Sequence, residues 1–180
     1  DAPTTSLVPT VLMTVGRLSE VLDQPDQAQQ YFDRAYAKYD ALLEDATGAD
    51  EKIPVLIRHA RARSFAGDAD EAIDLLQQGI EEFRSHPGRI SLQYQMGGIY
   101  ADNQRTTEAL QVFRDIATEY HNDNRRIDAL FAIGDLLAMQ DKYDEAAEEY
   151  RSILAMFSNV PTVARRAADR LRGLEMQRRR

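Results

Sequence analysis

Cysteine is absent from the 180 residues of this sequence, which excludes disulfide bonds, thiolate metal sites and cysteine nucleophiles. Apolar runs of the roughly 18 to 20 residues that a membrane-spanning helix needs are also missing, because charged residues interrupt every such stretch. The opening residues, DAPTTSLVP, have neither the basic nor the apolar region of a targeting peptide, and they are compatible with a segment of a longer chain. We therefore expect a soluble protein without a membrane span.

Residues suited to catalysis are few. The three histidines, His59, His86 and His121, form no HExxH motif, and no glycine-rich phosphate loop follows a strand. Acidic pairs such as Glu81 and Glu82 are most simply solvated helix faces. The sequence therefore predicts a protein that is not an enzyme, with no catalytic residue, metal site or cofactor.

The net charge of −8 is unevenly distributed. Residues 161–180 contain seven arginines against Asp169 and Glu175, a local charge of +5, which leaves −13 for residues 1–160. An acidic body repels phosphate backbones, so we do not expect a nucleic-acid partner. The arginine cluster has three interpretations: it solvates a closing helix and complements the acidic body, it contacts anionic lipid or nucleic acid, or it precedes another domain.

Small and apolar residues recur at an interval of 37 residues. Four columns share this register: Ala72, Ala109 and Ala146; Leu76, Phe113 and Tyr150; Ile80, Ala117 and Leu154; and Phe83, Tyr120 and Phe157. An earlier copy is offset from the next by 44 residues and comprises Gly16, Ala28, Phe32, Ala35 and Tyr39. The seven extra residues fall near 45–52, which we interpret either as a polar loop or as an extension of the preceding helix.

Within each repeat the apolar spacing is helical, and polar turns divide the repeat into two helices. Pro87 and Pro161 occupy the same column between repeats, where proline ends one helix and begins the next. The stretch that follows Pro161 has apolar residues at helical spacing and is interpreted as a closing helix. We predict a single solenoid over residues 1–180, with repeats at about 9–44, 53–86, 90–123 and 127–160 and a capping helix at about 162–178.

These residues resemble the tetratricopeptide repeat. The best match is LFAIGDLLAMQDKYDEAAEEYRSIL, in which Gly134 and Tyr150 occupy the helix-crossing and aromatic positions of that repeat. The resemblance implies an all-α fold, a right-handed superhelix of antiparallel helix hairpins. His59 and Arg63 depart from the pattern, since apolar residues are expected there. The 37-residue period is similar to repeats of bacterial cell-envelope proteins, of the TolA-binding and outer-membrane assembly lipoprotein type, and favours periplasm or cell envelope over cytoplasm.

The resemblance also implies a binding groove. In this family the groove is lined by the first helix of each repeat, at positions one and five after its large apolar residue. The candidates for partner binding at these positions are Met13, Arg17, Ile57, Arg61, Tyr94, Phe131 and Asp135, and Arg58 joins them from a column between the two. They predict an apolar floor with a positive patch, suited to a peptide with apolar anchors. The alternative is that the apolar column packs on neighbouring helices and that the arginines are solvated or paired locally.

The carboxylate clamp of the chaperone-binding members is absent, because the five clamp positions are here Met13, Arg17, Arg58, Ser91 and Gln95, or Ile57, Arg61, Gln95, Asp128 and Ala132. We expect a non-catalytic scaffold that binds a protein or peptide partner in its groove. Two alternatives remain open. The chain is a structural module that self-associates or spaces other domains, or it positions an enzyme fused elsewhere in a longer chain.

Overall fold

The helical spacing of the sequence is matched by nine α-helices, with no strand, among residues 4–121 and 123–177, which the computed structural model describes. The helices are α1 (Thr4–Val21), α2 (Pro25–Asp45), α3 (Ala49–Ala66), α4 (Ala69–Glu82), α5 (Arg89–Asp102), α6 (Thr106–Glu119), α7 (Asn124–Met139), α8 (Tyr143–Met156) and α9 (Pro161–Gln177). Arg178 to Arg180, and with them the end of the expected capping helix, lie outside the described residues. In this described part, no helix is long and apolar enough to cross a membrane.

The turn inside each helix hairpin has one geometry, repeated four times. Asp23, Gly67, Gln104 and Asp141 have left-handed backbone conformations, with φ of 57°, 106°, 61° and 60°. In each turn the following amide donates a hydrogen bond across the turn, as from Lys142 to the carbonyl of Leu137 at 3.0 Å. This pattern satisfies the last carbonyls of the first helix and reverses the chain. The left-handed residues keep the spacing of the sequence repeat, 44 residues and then 37 twice.

The seven extra residues of the first repeat lengthen α2. This helix has 21 residues, whereas α4, α6 and α8 each have 14. Only residues 46–48 separate α2 from α3. Of the two interpretations of this segment, helix extension is therefore the one observed.

Residue contacts divide the described chain into two compact units, one ending at Ile99 and the other beginning at Tyr100, within α5. In the first unit, α1 and α2 cross where Phe32 packs on Gly16. A methyl group at Gly16 would overlap the ring of Phe32, so only glycine permits this approach. The core around this crossing is formed by Met13, Ala28, Phe32, Ala35, Tyr36, Tyr39, Val55 and Ala62.

The second unit repeats this crossing with different residues. Tyr150 of α8 packs on Gly134 of α7, and a Cβ at Gly134 would lie 2.5 Å from Cε1 of Tyr150. The glycine and the aromatic residue are 16 positions apart in both units, and in both the ring packs on the glycine, so the repeated sequence positions make the same contact. The prediction of an all-α solenoid of helix hairpins is confirmed.

Helix α9 is held on α7 by two arginines. Nη1 of Arg166 donates to Asp128 at 2.9 Å, and Nε and Nη2 of Arg170 contact the two carboxylate oxygens of Asp135 at 2.8 and 3.0 Å. Arg172 pairs with Asp169 within α9. These contacts agree with the first interpretation of the arginine cluster, in which it complements nearby acidic residues.

Candidate functional site

An open cavity of about 390 Å³ lies in the first unit, where α1 and α3 approach each other over α2. Its lining residues are Thr10, Met13, Thr14, Tyr39, Arg58, Arg61, Ala62 and Phe65. The volume is within the range of ligand-binding clefts, about 300 to 1,000 Å³. The cavity is therefore large enough for one or two side chains of a bound peptide.

Helix periodicity explains why these residues meet. Thr10, Met13 and Thr14 are three and four positions apart on α1, and residues 58, 61, 62 and 65 are similarly spaced on α3, so each set lies on one helix face. Tyr39 of α2 forms the base of the cavity and is 3% exposed. The two faces stay apart because the buried side chains of α2 lie beneath both helices.

The charged rim of the cavity is positive. Arg58 and Arg61 are exposed, and within the described residues neither forms an ion pair or hydrogen bond. Arg17 contacts Glu20 and lies over the ring of Phe65, with its guanidinium carbon 5.1 Å from the ring centroid. Two guanidinium groups therefore border an apolar surface, and no acid among the described residues pairs with them.

The structure brings together three of the residues expected to bind a partner, Met13, Arg58 and Arg61. Arg17 joins this group through its contact with Phe65. Ile57 and Tyr94 are half-buried and do not line the cavity. Whether these residues bind a partner stays a prediction.

The two remaining candidates, Phe131 and Asp135, belong to the second unit and contact α9. Phe131 is 0% exposed, and the guanidinium carbon of Arg166 lies 3.9 Å from its ring centroid. Asp135 accepts a hydrogen bond of 2.5 Å from the hydroxyl of Tyr150 in addition to its contacts with Arg170. Burial, and then this hydrogen bond, raise the pKa of Tyr150 above its usual value. Both candidates thus contribute to packing in this structure.

His59 is buried against the aromatic base of the cavity. It is 1% exposed, and its ring stacks on Tyr39 with centroids 5.2 Å apart and lies 5.6 Å from that of Tyr36. Its Nε2 accepts a hydrogen bond from Nε of Arg63 at 3.1 Å, and its Nδ1 is 3.6 Å from a carboxylate oxygen of Asp40. Burial, and then the charge of Arg63, lower the pKa of His59 to about 4, and Asp40 only partly opposes them. The histidine is therefore neutral at pH 7.

This burial predicts a loss of stability in mild acid. In the unfolded chain His59 titrates near 6.5, so its contribution is complete above that pH and is lost as the pH falls toward 4. Between pH 7 and pH 5 we expect the free energy of unfolding to fall by about 2 kcal/mol more in the wild type than in His59→Phe. Urea unfolding followed by circular dichroism at both pH values measures this difference. Equal losses in the two proteins would contradict the assignment.

Phe65 and Tyr39 belong to the cavity but are not among the residues that the sequence predicts for it. Phe65 follows Ile57 and Arg61 at steps of four residues along α3, so the same helical spacing could have identified it. Tyr39 is on the second helix of its repeat, where the sequence pattern indicates only a core residue.

No group of three or more histidine or acidic side chains suited to a metal ion occurs among residues 4–121 and 123–177.

Comparison with known proteins identifies the type of repeat in the second unit. The family model of the tetratricopeptide repeat matches residues 128–159, within the α7–α8 hairpin and the turn after it, and the resemblance to that repeat is confirmed. The finer likeness to cell-envelope proteins stays a prediction. Two solved structures match 99% of this chain over 99% of their own, with 14% sequence identity and a TM-score of 0.55. They are a Podosopora anserina protein described as a kinesin light chain with nearly identical TPR-like repeats, and a variant of it.

At this level of identity the two structures show the fold alone, which is that of TPR-like repeat proteins. No curated protein sequence matches the chain. Repeats of this type are generally protein–protein interaction modules, and their fold typically serves as a non-enzymatic scaffold.

Proposed function

We propose that the protein binds an extended segment of a partner protein in the cavity between α1 and α3. An apolar side chain of that segment contacts Met13 and Phe65, and a neighbouring carboxylate pairs with Arg58 and Arg61. The observation that carries the proposal is the position of two unpaired arginines beside an apolar cavity.

The shape of the cavity supports an apolar anchor. Met13 and Tyr39 are almost fully buried beneath it, whereas Phe65 is 56% exposed at its edge. An inserted side chain would cover Phe65 and remove apolar surface from water, at about 25 cal/mol for each Å² buried. Aromatic and aliphatic anchors in such clefts supply most of the binding energy in many interfaces.

The charge of the cavity supports an acidic neighbour to that anchor. Two other arginines near the cavity have acceptors, Arg17 in Glu20 and Arg63 in His59. Arg58 and Arg61 are three residues apart and extend from one face of α3. Guanidinium groups recognise carboxylates through paired hydrogen bonds. One or two acidic side chains of a partner would therefore supply acceptors for Arg58 and Arg61. This arrangement differs from the five-residue carboxylate clamp, which the sequence lacks.

Selection of peptides tests the proposal and does not require that the partner be identified first. Random 12-residue peptides displayed on phage are selected on the immobilised protein, and enriched sequences are measured by fluorescence anisotropy. We expect a consensus with an aromatic or aliphatic residue next to aspartate or glutamate. Arg58→Glu with Arg61→Glu should weaken binding of such peptides at least tenfold, since two charge-assisted contacts become repulsive.

The matched control is Arg114→Glu with Arg151→Glu, which makes the same charge change at exposed arginines on α6 and α8. We expect it to change affinity less than twofold at physiological ionic strength, where charges more than about 8 Å from the peptide are screened. A consensus without acidic residues, or equal weakening by both double variants, would contradict the proposed site.

A further inference from the structure

A second exposed surface follows one face of α1 and continues to the residue just after it. Val8, Val11, Leu18 and Leu22 are 44%, 58%, 56% and 60% exposed, and Val15 between them is half-buried. We call these five residues the α1 stripe. They are spaced alternately three and four residues apart, the spacing at which one helix packs along another. Residues of the cavity, such as Thr10 and Met13, occupy a different face of the helix.

The repeat itself shows what kind of surface covers such a stripe. A shift of 44 residues, the offset between the first two repeats, places Val11, Val15 and Leu18 on Val55, His59 and Ala62 of α3. Those three residues are 6%, 1% and 8% exposed, because α2 covers them. Among the described residues, nothing covers the corresponding face of α1, which carries Val15 and Leu18 in place of His59 and Ala62. Its complement is an apolar helix face.

The distribution of charge indicates which molecule binds the α1 stripe. Arg17 and Glu20 are the only ionisable residues of α1, and they pair with each other. The chain as a whole carries a net charge of −8, so two copies repel each other least where they meet through α1. Among the described helices, only α1 exposes a continuous apolar stripe. Apart from Val21, also on α1, the other large exposed apolar residues are scattered over four helices: Phe65, Met139, Met156 and Met176.

We infer that the α1 stripe binds the same stripe of a second copy of this chain, forming a symmetric dimer. Each copy supplies the same uncharged stripe, as an interface with two-fold symmetry requires. The contact is confined to one helix from each copy. Specific interfaces usually bury at least about 1,000 Å² in total, and a contact of one helix from each copy is at the small end of that range, so we expect a weak dimer that dissociates at micromolar concentrations.

Sedimentation velocity of the full chain between about 1 and 200 µM tests the inference, with the concentration range set to span micromolar dissociation. We expect a monomer at the low end and a dimer at the high end. Leu18→Glu with Leu22→Glu should raise the dissociation constant at least tenfold, because each dimer would then bury four unpaired carboxylates. The matched control, Met139→Glu with Met176→Glu, adds the same charge at side chains that are 79% and 66% exposed, and it should dimerise as the wild type does.

A single cysteine locates the contact directly, since the chain has no other cysteine. Val15→Cys, at the centre of the stripe, should form a disulfide-linked dimer under mild oxidation, and Met139→Cys should not. A monomer at every concentration would overturn the inference. So would a dimer that resists the Leu18 and Leu22 substitutions, because it would use another surface. Neither result affects the proposed cavity, whose test uses the arginines of α3.

Discussion

Phe131→Ala is expected to lower the free energy of unfolding by about 3–5 kcal/mol, the usual cost of truncating a buried phenylalanine. Phe131 is 0% exposed, its ring contacts that of Tyr150 with centroids 6.3 Å apart, and Arg166 covers it from α9. Alanine would leave a cavity between α7 and α8 and would remove the surface on which the guanidinium lies. Urea unfolding followed by circular dichroism measures the change.

Phe65→Ala is the matched control, because it makes the same substitution where the ring is 56% exposed. We expect it to change stability by no more than about 0.5 kcal/mol, as is usual for surface positions. A cost below about 1 kcal/mol for Phe131→Ala would mean that α9 does not pack on this ring. The comparison also shows which phenylalanine can be used in binding experiments. Phe65 can be removed without unfolding the chain, whereas the effect of Phe131→Ala on binding would be confounded with loss of structure.

Gly134→Leu is the second substitution with a large expected effect, a destabilisation of about 1–3 kcal/mol from overpacking. A Cβ at this position would lie 2.5 Å from Cε1 and 2.9 Å from Cζ of Tyr150, which is itself 1% exposed. Movement of the ring into solvent is opposed by its burial and by the hydrogen bond from its hydroxyl to Asp135. The two helices must therefore separate. Thermal and urea unfolding of the variant measure the cost.

Gly98→Leu provides the control for this crossing. Gly98 is also helical, but apart from its chain neighbours and the nearby backbone of its own helix, nothing lies within 4 Å of the position that its Cβ would occupy. Leucine has a better helix propensity than glycine, by up to about 1 kcal/mol, so this variant should be neutral or more stable. If both glycine substitutions changed stability in the same direction and by the same amount, the close approach of α7 and α8 would be wrong.

The repeat and its crossings could be predicted from the sequence because they depend on spacing. The interval of 37 residues determines which residues face each other within a hairpin, and the crossing positions of Gly134 and Tyr150 follow from it. The turns follow from the same register. Helix extension in the first repeat could not be decided, because residues 45–52 contain both helix-forming and helix-breaking residues.

The binding surface could be predicted only in part, because exposure depends on what packs against each helix. Met13 and Phe131 occupy the same column of the repeat, yet Met13 lies beside a cavity and Phe131 lies under α9. Phe131 is covered because Arg166 and Arg170 of α9 form ion pairs with acids of α7. No spacing rule within one repeat contains that information. The α1 stripe is exposed for the corresponding reason, because no described helix packs on it.

The cavity between α1 and α3 is the proposed binding site of a partner segment. Methyl NMR of the protein labelled at its methionines tests it most directly, because only Met13 of the five lines the cavity. A phage-selected acidic peptide should shift the Met13 resonance in a saturable manner and leave those of Met139, Met156 and Met176 unchanged. An unmoved Met13 resonance at a peptide concentration that saturates binding would contradict the proposed binding site.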